Sequence, residues 1–422
     1  MSVYSELVRD IKIPRMVKVR QIFDRPVLKD VEGEVRRQLS QEKISSAIKP
    51  GMRIAISAGS RGITNIALIL RAIVSFCKEK GADPFIIPAM GSHGGATAEG
   101  QLEILHSYGI TEEYCGCKII SSMETTKIGY TPEGHPVWID KYAAASDGII
   151  VVNRIKAHTA FRGEYESGLM KMMTIGLGKQ KGAEVCHKAG FKHMHHLVPL
   201  FGKSIIKYAP ILFGLGIIEN AYDETCKLAA LLPGEIITEE PKLLIEAKKL
   251  MGRIWFDETD VLIVDKIGKN ISGDGADPNI TGAFLTPYAE GGIKAQRRIV
   301  LDLTDETHGN AAGIGVFDAT TQRLFNRMNL EITYPNAVTN TVLSMVKIPI
   351  IMENDRDAVA VAIKSCNEID YNNVRIIRIR DTAHLDEIWV SENMLDEVRD
   401  NPHLEQISDP EPLPFDEKGN LW

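Results

Sequence analysis

The sequence has no excess of positive charge, no long apolar run and few cysteines for its length. Lysine and arginine together number 49 against 56 aspartates and glutamates, a formal net charge of −7. That balance excludes an extended nucleic-acid surface, which would be basic. No uninterrupted apolar stretch approaches the roughly 20 residues of a membrane helix. The start, Met1 to Leu7, has no basic segment followed by an apolar one, so neither a span nor a secretory leader is expected. The six cysteines (Cys77, Cys115, Cys117, Cys186, Cys226 and Cys366) are scattered, which points to a reduced, cytoplasmic protein. Cys115-Gly116-Cys117 has no second pair to complete a zinc site. Internal repeats and low-complexity segments are also missing. So are the P-loop and a Gly-x-Gly-x-x-Gly at the opening of the first long helix after a strand.

What is present is alternation. After a charged helical stretch near Val31–Ile48, a short apolar run, Arg53–Ser57, reads as a buried strand. It leads into the turn Ala58-Gly59-Ser60-Arg61-Gly62 and a helical pattern over Thr64–Lys80, with Thr64 as its cap. Pro84–Met90 and Gly148–Val152 are further strands, with a helix over Thr97–Tyr108 between them. Residues 195–250 read as helix with a strand pair around Ile211–Ile218. A second alternating block starts at Asp260–Asp265 and continues through Arg298–Asp302 and Val374–Ile379, enclosing a Gly/Asp/Asn-rich loop over Gly268–Gly282. This order predicts an α/β protein of two domains, each a mostly parallel sheet flanked by helices. The break is placed in the 265–275 region, giving residues 1–268 and 269–422. The active site is expected at the interdomain cleft. The tail after Asp400, rich in proline and acid, is expected to be partly mobile or to pack back on the first domain.

In parallel sheets ligands collect at the carboxyl ends of the strands. Ser60-Arg61, His93 and His158 all lie just after predicted strands. The turn at Ser60 could offer backbone N–H groups and a forked cation to an anion; the structural reading is an ordinary turn with a surface arginine. His93 sits among Gly91, Gly94 and Gly95, where the backbone can approach a ligand closely. His158 follows Arg154 and Lys156. Two histidines facing one carbon could remove and return a proton near neutral pH. Lys171 lies among Met170, Met172 and Met173, where burial would favour a nucleophilic amine, although from the residues alone a snorkelling lysine on an amphipathic helix is the favoured reading. His187 offers a neutral imidazole to a metal. The cluster His193, His195 and His196 is poorly spaced for a helical chelate, with only His193 and His196 able to meet at i+3.

Gly91-Ser92-His93-Gly94-Gly95, Ala157-His158 and the pair Lys171 and His187 together resemble the nickel-pincer-nucleotide lactate racemase family. The resemblance is clearest from Arg53 to Gly190. It weakens in the second half, where Asp277-Pro278-Asn279-Ile280 and Thr307–Ala311 look like family loops. It implies His93 and His158 as the catalytic pair, Lys171 as the covalent tether, His187 as the nickel ligand, and Ser60 and Arg61 in cofactor and substrate-carboxylate binding. It also implies a nickel pincer nucleotide as cofactor, the enzymes that synthesise it as partners, and a hydride relay that inverts C2 of a 2-hydroxy acid. A homo-oligomer is compatible with this reading. Nucleic-acid and membrane partners are not expected.

Departures from the family pattern bear on substrate. Ala58 stands where the family has an aspartate, and the loop from His158 to Lys171 is longer. Thr281 and Gly282 replace bulky and charged contacts, so they are read as substrate-binding positions that open the pocket. The expectation is therefore a sugar acid, an aldonate such as D-gluconate epimerised at C2. Racemisation of lactate, malate or another short 2-hydroxy acid is the alternative within the family. A non-redox nucleotide or sugar-phosphate binding protein, or a zinc hydrolase built on His193–His196, are alternatives of other classes.

Overall fold

Strands buried on both faces read as continuous apolar runs, and the Arg53–Ala58 strand shows why. Ile54 and Ile56 face a core shared with Ile69, Leu70 and Ile73, while Ala55 between them faces a second core with Met170, Met173 and Phe201. The computed structural model describes residues 3–422, and its chain divides into two compact units, one spanning Arg25–Met251 and the other combining the segment up to Asp24 with Gly252–Trp422.

The Arg25–Met251 unit is built on a six-stranded sheet. Its spatial order is Lys118–Ile119, Asp83–Pro88, Arg53–Ala58, Gly148–Arg154, Ile211–Glu219 and Thr225–Leu231. The first five strands are parallel, and the last closes an antiparallel pair with its neighbour. Helices Val31–Leu39 and Ile66–Glu79 cover one face. Met194–Tyr208 and Pro233–Leu250 pack against the other core. Each fully buried aliphatic side chain in these layers stabilises the fold by about 1.5–3 kcal/mol relative to exposure. The chain moves outward from Arg53–Ala58 to Asp83–Pro88 and Lys118–Ile119, then returns to add Gly148–Arg154 on the opposite side. That reversal is a topological switch point, where open α/β sheets leave a crevice at the strand ends.

The other unit holds an eight-stranded mixed sheet. Its order is Ile350–Met352, Ala319–Thr321, Lys294–Leu303, Glu258–Ile267, Ile376–Ile379, Glu387–Ser391, Met16–Gln21 and Leu404–Gln406. The first five strands are parallel and the last three antiparallel. Among the described residues no helix is long and apolar enough to cross a membrane.

The α/β class and the mostly parallel sheets stand as expected, but the domain limits are corrected. Glu258–Ile267 is a central strand of the second sheet, so the break falls between Met251 and Gly252 rather than at 268. The beginning of the chain also belongs to that unit, because Met16–Gln21 is sandwiched between Glu387–Ser391 and Leu404–Gln406. The tail pairs with this strand and buries Leu413 in the same core, so it stays in its own unit instead of packing on the first. Thr64 is not the cap of the following helix. Asn65, with φ of 65°, occupies the cap position, and Thr64 N donates to Glu219 Oε1 at 2.6 Å.

Candidate active site

Three loops leave the carboxyl edge of the first sheet at its switch point, carrying Ser60-Arg61, His93 and His158 as the sequence implied. The turn after Ala58 does not continue directly into a helix; the helix starts at Ile66. The acceptor near that helix start is the Glu219 carboxylate, itself ion-paired to Arg154. The Ser60 turn therefore works through side chains. Ser60 Oγ is hydrogen-bonded to His93 Nδ1, and Tyr108 Oη donates to the Ser60 carbonyl at 3.1 Å.

The His93 loop winds through left-handed backbone at Gly91, Gly94 and Gly95, with φ of 60–65°. At Gly91 the space is also tight, since a Cβ would lie 3.3 Å from Ile175. Gly91 N donates to Gly176 O at 3.3 Å. The loop is thus seated on the helical segment that follows Lys171, and His93 itself is exposed at the rim.

His158 lies in a loop whose ends, Lys156 and Ser167, are paired through 3.0 and 3.2 Å backbone hydrogen bonds. Glu166 organises its interior. This fully buried carboxylate accepts from His158 N at 2.7 Å and Gly163 N at 3.3 Å, and it pairs with Lys248 at 2.6 Å. The His158 ring is buried between Phe161, 4.4 Å away, and Phe191, 6.5 Å away. Its Nδ1 accepts from Ala160 N at 3.0 Å, and its Nε2 meets Lys171 Nζ at 2.6 Å. Burial first, then the cationic surroundings of Lys171, Lys156 and Arg162, hold the ring well below the usual imidazole range. The 2.6 Å contact sets the Nε2 nitrogen of the ring directly against the Lys171 amine.

Lys171 ends the short helix Leu169–Lys171, half-buried while Met170, Met172 and Met173 around it are buried. The segment Met172–Leu177 then continues as a π-helix, a rare geometry that concentrates at functional sites. Glu240 anchors the start of this helix, accepting from Met170 N at 3.0 Å. A Cβ at Gly168 would lie 2.0 Å from Glu240 Oε1, so the glycine leaves room for that carboxyl. Burial pushes the Glu240 carboxyl up to about 8, against the opposing backbone hydrogen bonds. Glu240 and Lys248 lie on one helix, Pro233–Leu250, so that helix fixes both Lys171 and the His158 loop.

His187 projects from the helix Lys179–Lys188 and packs against Phe191, ring centroids 5.9 Å apart. Burial, with Lys171 second, lowers its imidazole to about 4, so it is neutral at physiological pH. His158 and His187 thereby share one aromatic neighbour, and Lys171 meets His158 directly.

Other candidates fall elsewhere. Among the described residues no three histidine, cysteine, aspartate or glutamate side chains are placed to hold a metal ion. His193, His195 and His196 are exposed, and His196 bonds Glu133 at 2.6 Å, so the zinc-hydrolase reading has no centre to stand on. Thr281 and Gly282 belong to the other unit. Thr281 is buried, its carbonyl accepting from Arg298 Nε at 2.7 Å. Gly282 ends the Pro278–Thr281 turn at φ 69°, where a Cβ would lie 2.1 Å from Ile293 O. The glycine is thus explained by backbone geometry. Sequence reasoning missed Tyr108, Glu166, Glu219 and Glu240. All are ordinary polar residues in amphipathic or loop stretches, and only the fold shows them to be turned inward.

Residues 4–197 match the family model described as the lactate racemase N-terminal domain. No curated protein matches the chain in sequence. Among solved structures, the lactate racemase apoprotein from Thermoanaerobacterium thermosaccharolyticum superposes with a TM-score of 0.53 at 14% identity. The match covers 87% of this chain and 98% of that one.

Proposed function

Because residues 4–197 match the model of the lactate racemase N-terminal domain, we propose that this protein is a racemase or epimerase inverting C2 of a 2-hydroxy acid. The observation that carries this reading is that His158 meets Lys171 and shares the aromatic neighbour Phe191 with His187, at the switch point that also presents His93 and Ser60.

The donor chemistry suits a nickel pincer nucleotide. His187 offers a neutral imidazole, a good nickel ligand, and Lys171 an amine for covalent attachment. Since the described residues form no metal centre of their own, the remaining donors would come with the cofactor. When bound, such a group supplies a carbon that accepts and returns hydride.

The chain's own residues do the rest. His158, held neutral by burial, takes a hydroxyl proton on one face of the substrate. His93, oriented by Ser60, serves the other face. Arg61 pairs its fork with the substrate carboxylate. Phe161 and Phe191 keep water from the His158 ring. Within the class we place an aldonate such as D-gluconate before lactate or malate, on the departures from the family pattern at Ala58 and in the lengthened loop between His158 and Lys171.

The test is intact mass, nickel analysis and a substrate panel on protein made alongside the cofactor-synthesis enzymes. Expected are added mass on Lys171, bound nickel, and C2–H exchange faster with D-gluconate than with lactate. Faster lactate turnover would overturn the aldonate preference. Absence of both nickel and added mass would overturn the racemase reading and favour a nucleotide or sugar-phosphate binding protein.

A further inference from the structure

Lys179 combines two features that a folding chain normally avoids. It is wholly buried, and its backbone adopts φ of 53°, a left-handed conformation rare for a residue with a side chain. Its Nζ lies 3.2 Å from the equally buried Asp140, donates to the Pro88 carbonyl at 2.5 Å, and approaches Gln101 Oε1 at 3.4 Å. Gln101, also fully buried, turns its amide the other way, donating to the carbonyls of Gly91 at 3.0 Å and His93 at 3.2 Å. Asp140 uses its other oxygen to cap the helix Lys141–Ala144, accepting from Tyr142 N and Ala143 N.

These contacts form one buried polar chain, Asp140 to Lys179 to Gln101 to the His93 backbone. Lys179, in its middle, is the first residue of the helix that carries His187, and the Pro88 carbonyl it also bonds ends the strand that feeds the His93 loop. Stability alone does not require such a chain, because apolar residues of similar volume commonly replace a buried ion pair without loss. What apolar residues cannot do is hold two carbonyls of a glycine-rich loop in fixed positions.

We propose that Lys179 and Gln101 are positioning residues that set the place of His93 against Ser60 and against the helix bearing His187. For its catalytic consequence this rests on the assignment of His93 to proton transfer. Gln101 restrains the loop directly, and Lys179 ties that restraint to the strand end and the metal-side helix. Neither touches substrate.

The test uses the full chain with Gln101→Leu, and with the paired replacement Lys179→Met plus Asp140→Asn. The paired replacement leaves no unmatched buried charge. Gln101→Leu leaves the ion pair intact and serves as the second variant should the first fail to fold. In cofactor-free protein, the imidazole 15N resonances of His93, assigned through His93→Gln, are expected to move as the Ser60 hydrogen bond loosens, while thermal unfolding stays cooperative. In loaded protein, kcat is expected to fall about 10- to 100-fold, the scale of a displacement of about 1 Å. KM should stay within about twofold, with nickel content unchanged. Folded variants with unmoved His93 resonances and unchanged kcat would overturn the proposal. Moved resonances in a protein that racemises no 2-hydroxy acid would leave the positioning role standing and remove the functional reading instead.

Discussion

The two sheets of this chain share an architecture and differ in what stands at their strand ends. Each has a run of five parallel strands, and each has a switch point where the order of connection reverses. At the switch of the second sheet, between Glu258–Ile267 and Ile376–Ile379, Asp265 and Arg378 form a bidentate pair at 2.7 and 2.9 Å. Asp302 and Asp355 nearby are matched by Arg323 and Arg327. At the switch of the first sheet Glu166 and Glu219 are likewise matched, by Lys248 and Arg154, but beside them His158 and Lys171 face each other at 2.6 Å. Charges that satisfy one another leave an edge chemically quiet. An edge that adds a histidine and a lysine to its matched pairs keeps capacity for an anionic ligand. The same topology therefore yields a scaffold in one case and a candidate site in the other.

The strongest way to break this comparison is to unbalance the quiet edge. Arg378→Met leaves Asp265 buried without its partner and should destabilise the fold by about 3–5 kcal/mol. The double replacement Arg378→Met with Asp265→Leu should recover most of that loss. Urea unfolding of the three proteins measures both. A single-variant loss under 1 kcal/mol would show that the pair is not what fixes this edge.

A smaller effect sharpens the other side. Glu240 has its carboxyl raised to about 8 in the folded chain by burial, against an unfolded value near 4.3. Folding therefore takes up a proton between those values. Its contribution to stability is fully present below about pH 4.3, falls as pH rises, and levels off above about 8. Glu240→Gln keeps a carbonyl acceptor for Met170 N and removes this dependence. Relative to the parent, the variant should gain about 1–4 kcal/mol between pH 5 and pH 8, read from denaturant midpoints at the two pH values. Parallel curves would show that Glu240 is ionised in the folded chain.

The smallest effect belongs to the exposed histidines. His196→Ala breaks a surface contact with Glu133 and should change stability by no more than about 0.5 kcal/mol, with nickel content of the loaded protein unaltered. Loss of metal in that variant would return the 193–196 cluster to consideration.

Much of this was legible in the sequence, for physical reasons. Arg53–Ala58 and Gly148–Arg154 are covered on both faces, so their apolar runs are unbroken. The loop after Asp83–Pro88 carries glycines where φ is positive, at 91, 94 and 95. Other features had no local signal. Met16–Gln21 is paired with Leu404–Gln406 across nearly the whole chain, and a single amphipathic strand does not name its partner. Glu240 sits among lysines and leucines in a pattern that reads as a solvated helix face, and only the fold turns it onto the Lys171 helix. Thr281 and Gly282 looked like room for a ligand. The first is buried, and the second is demanded by its backbone.

The contact between His158 and Lys171 has a consequence for how such a protein would be switched on. In the unmodified chain the His158 ring lies against the very amine that could be modified. After burial, the charge on that amine is the largest influence keeping the ring from taking up a proton. Acylating or thioacylating the amine would remove that charge and raise the basicity of the ring. Maturation and activation would then be one event, since the modification that fills Lys171 would also ready His158 to work.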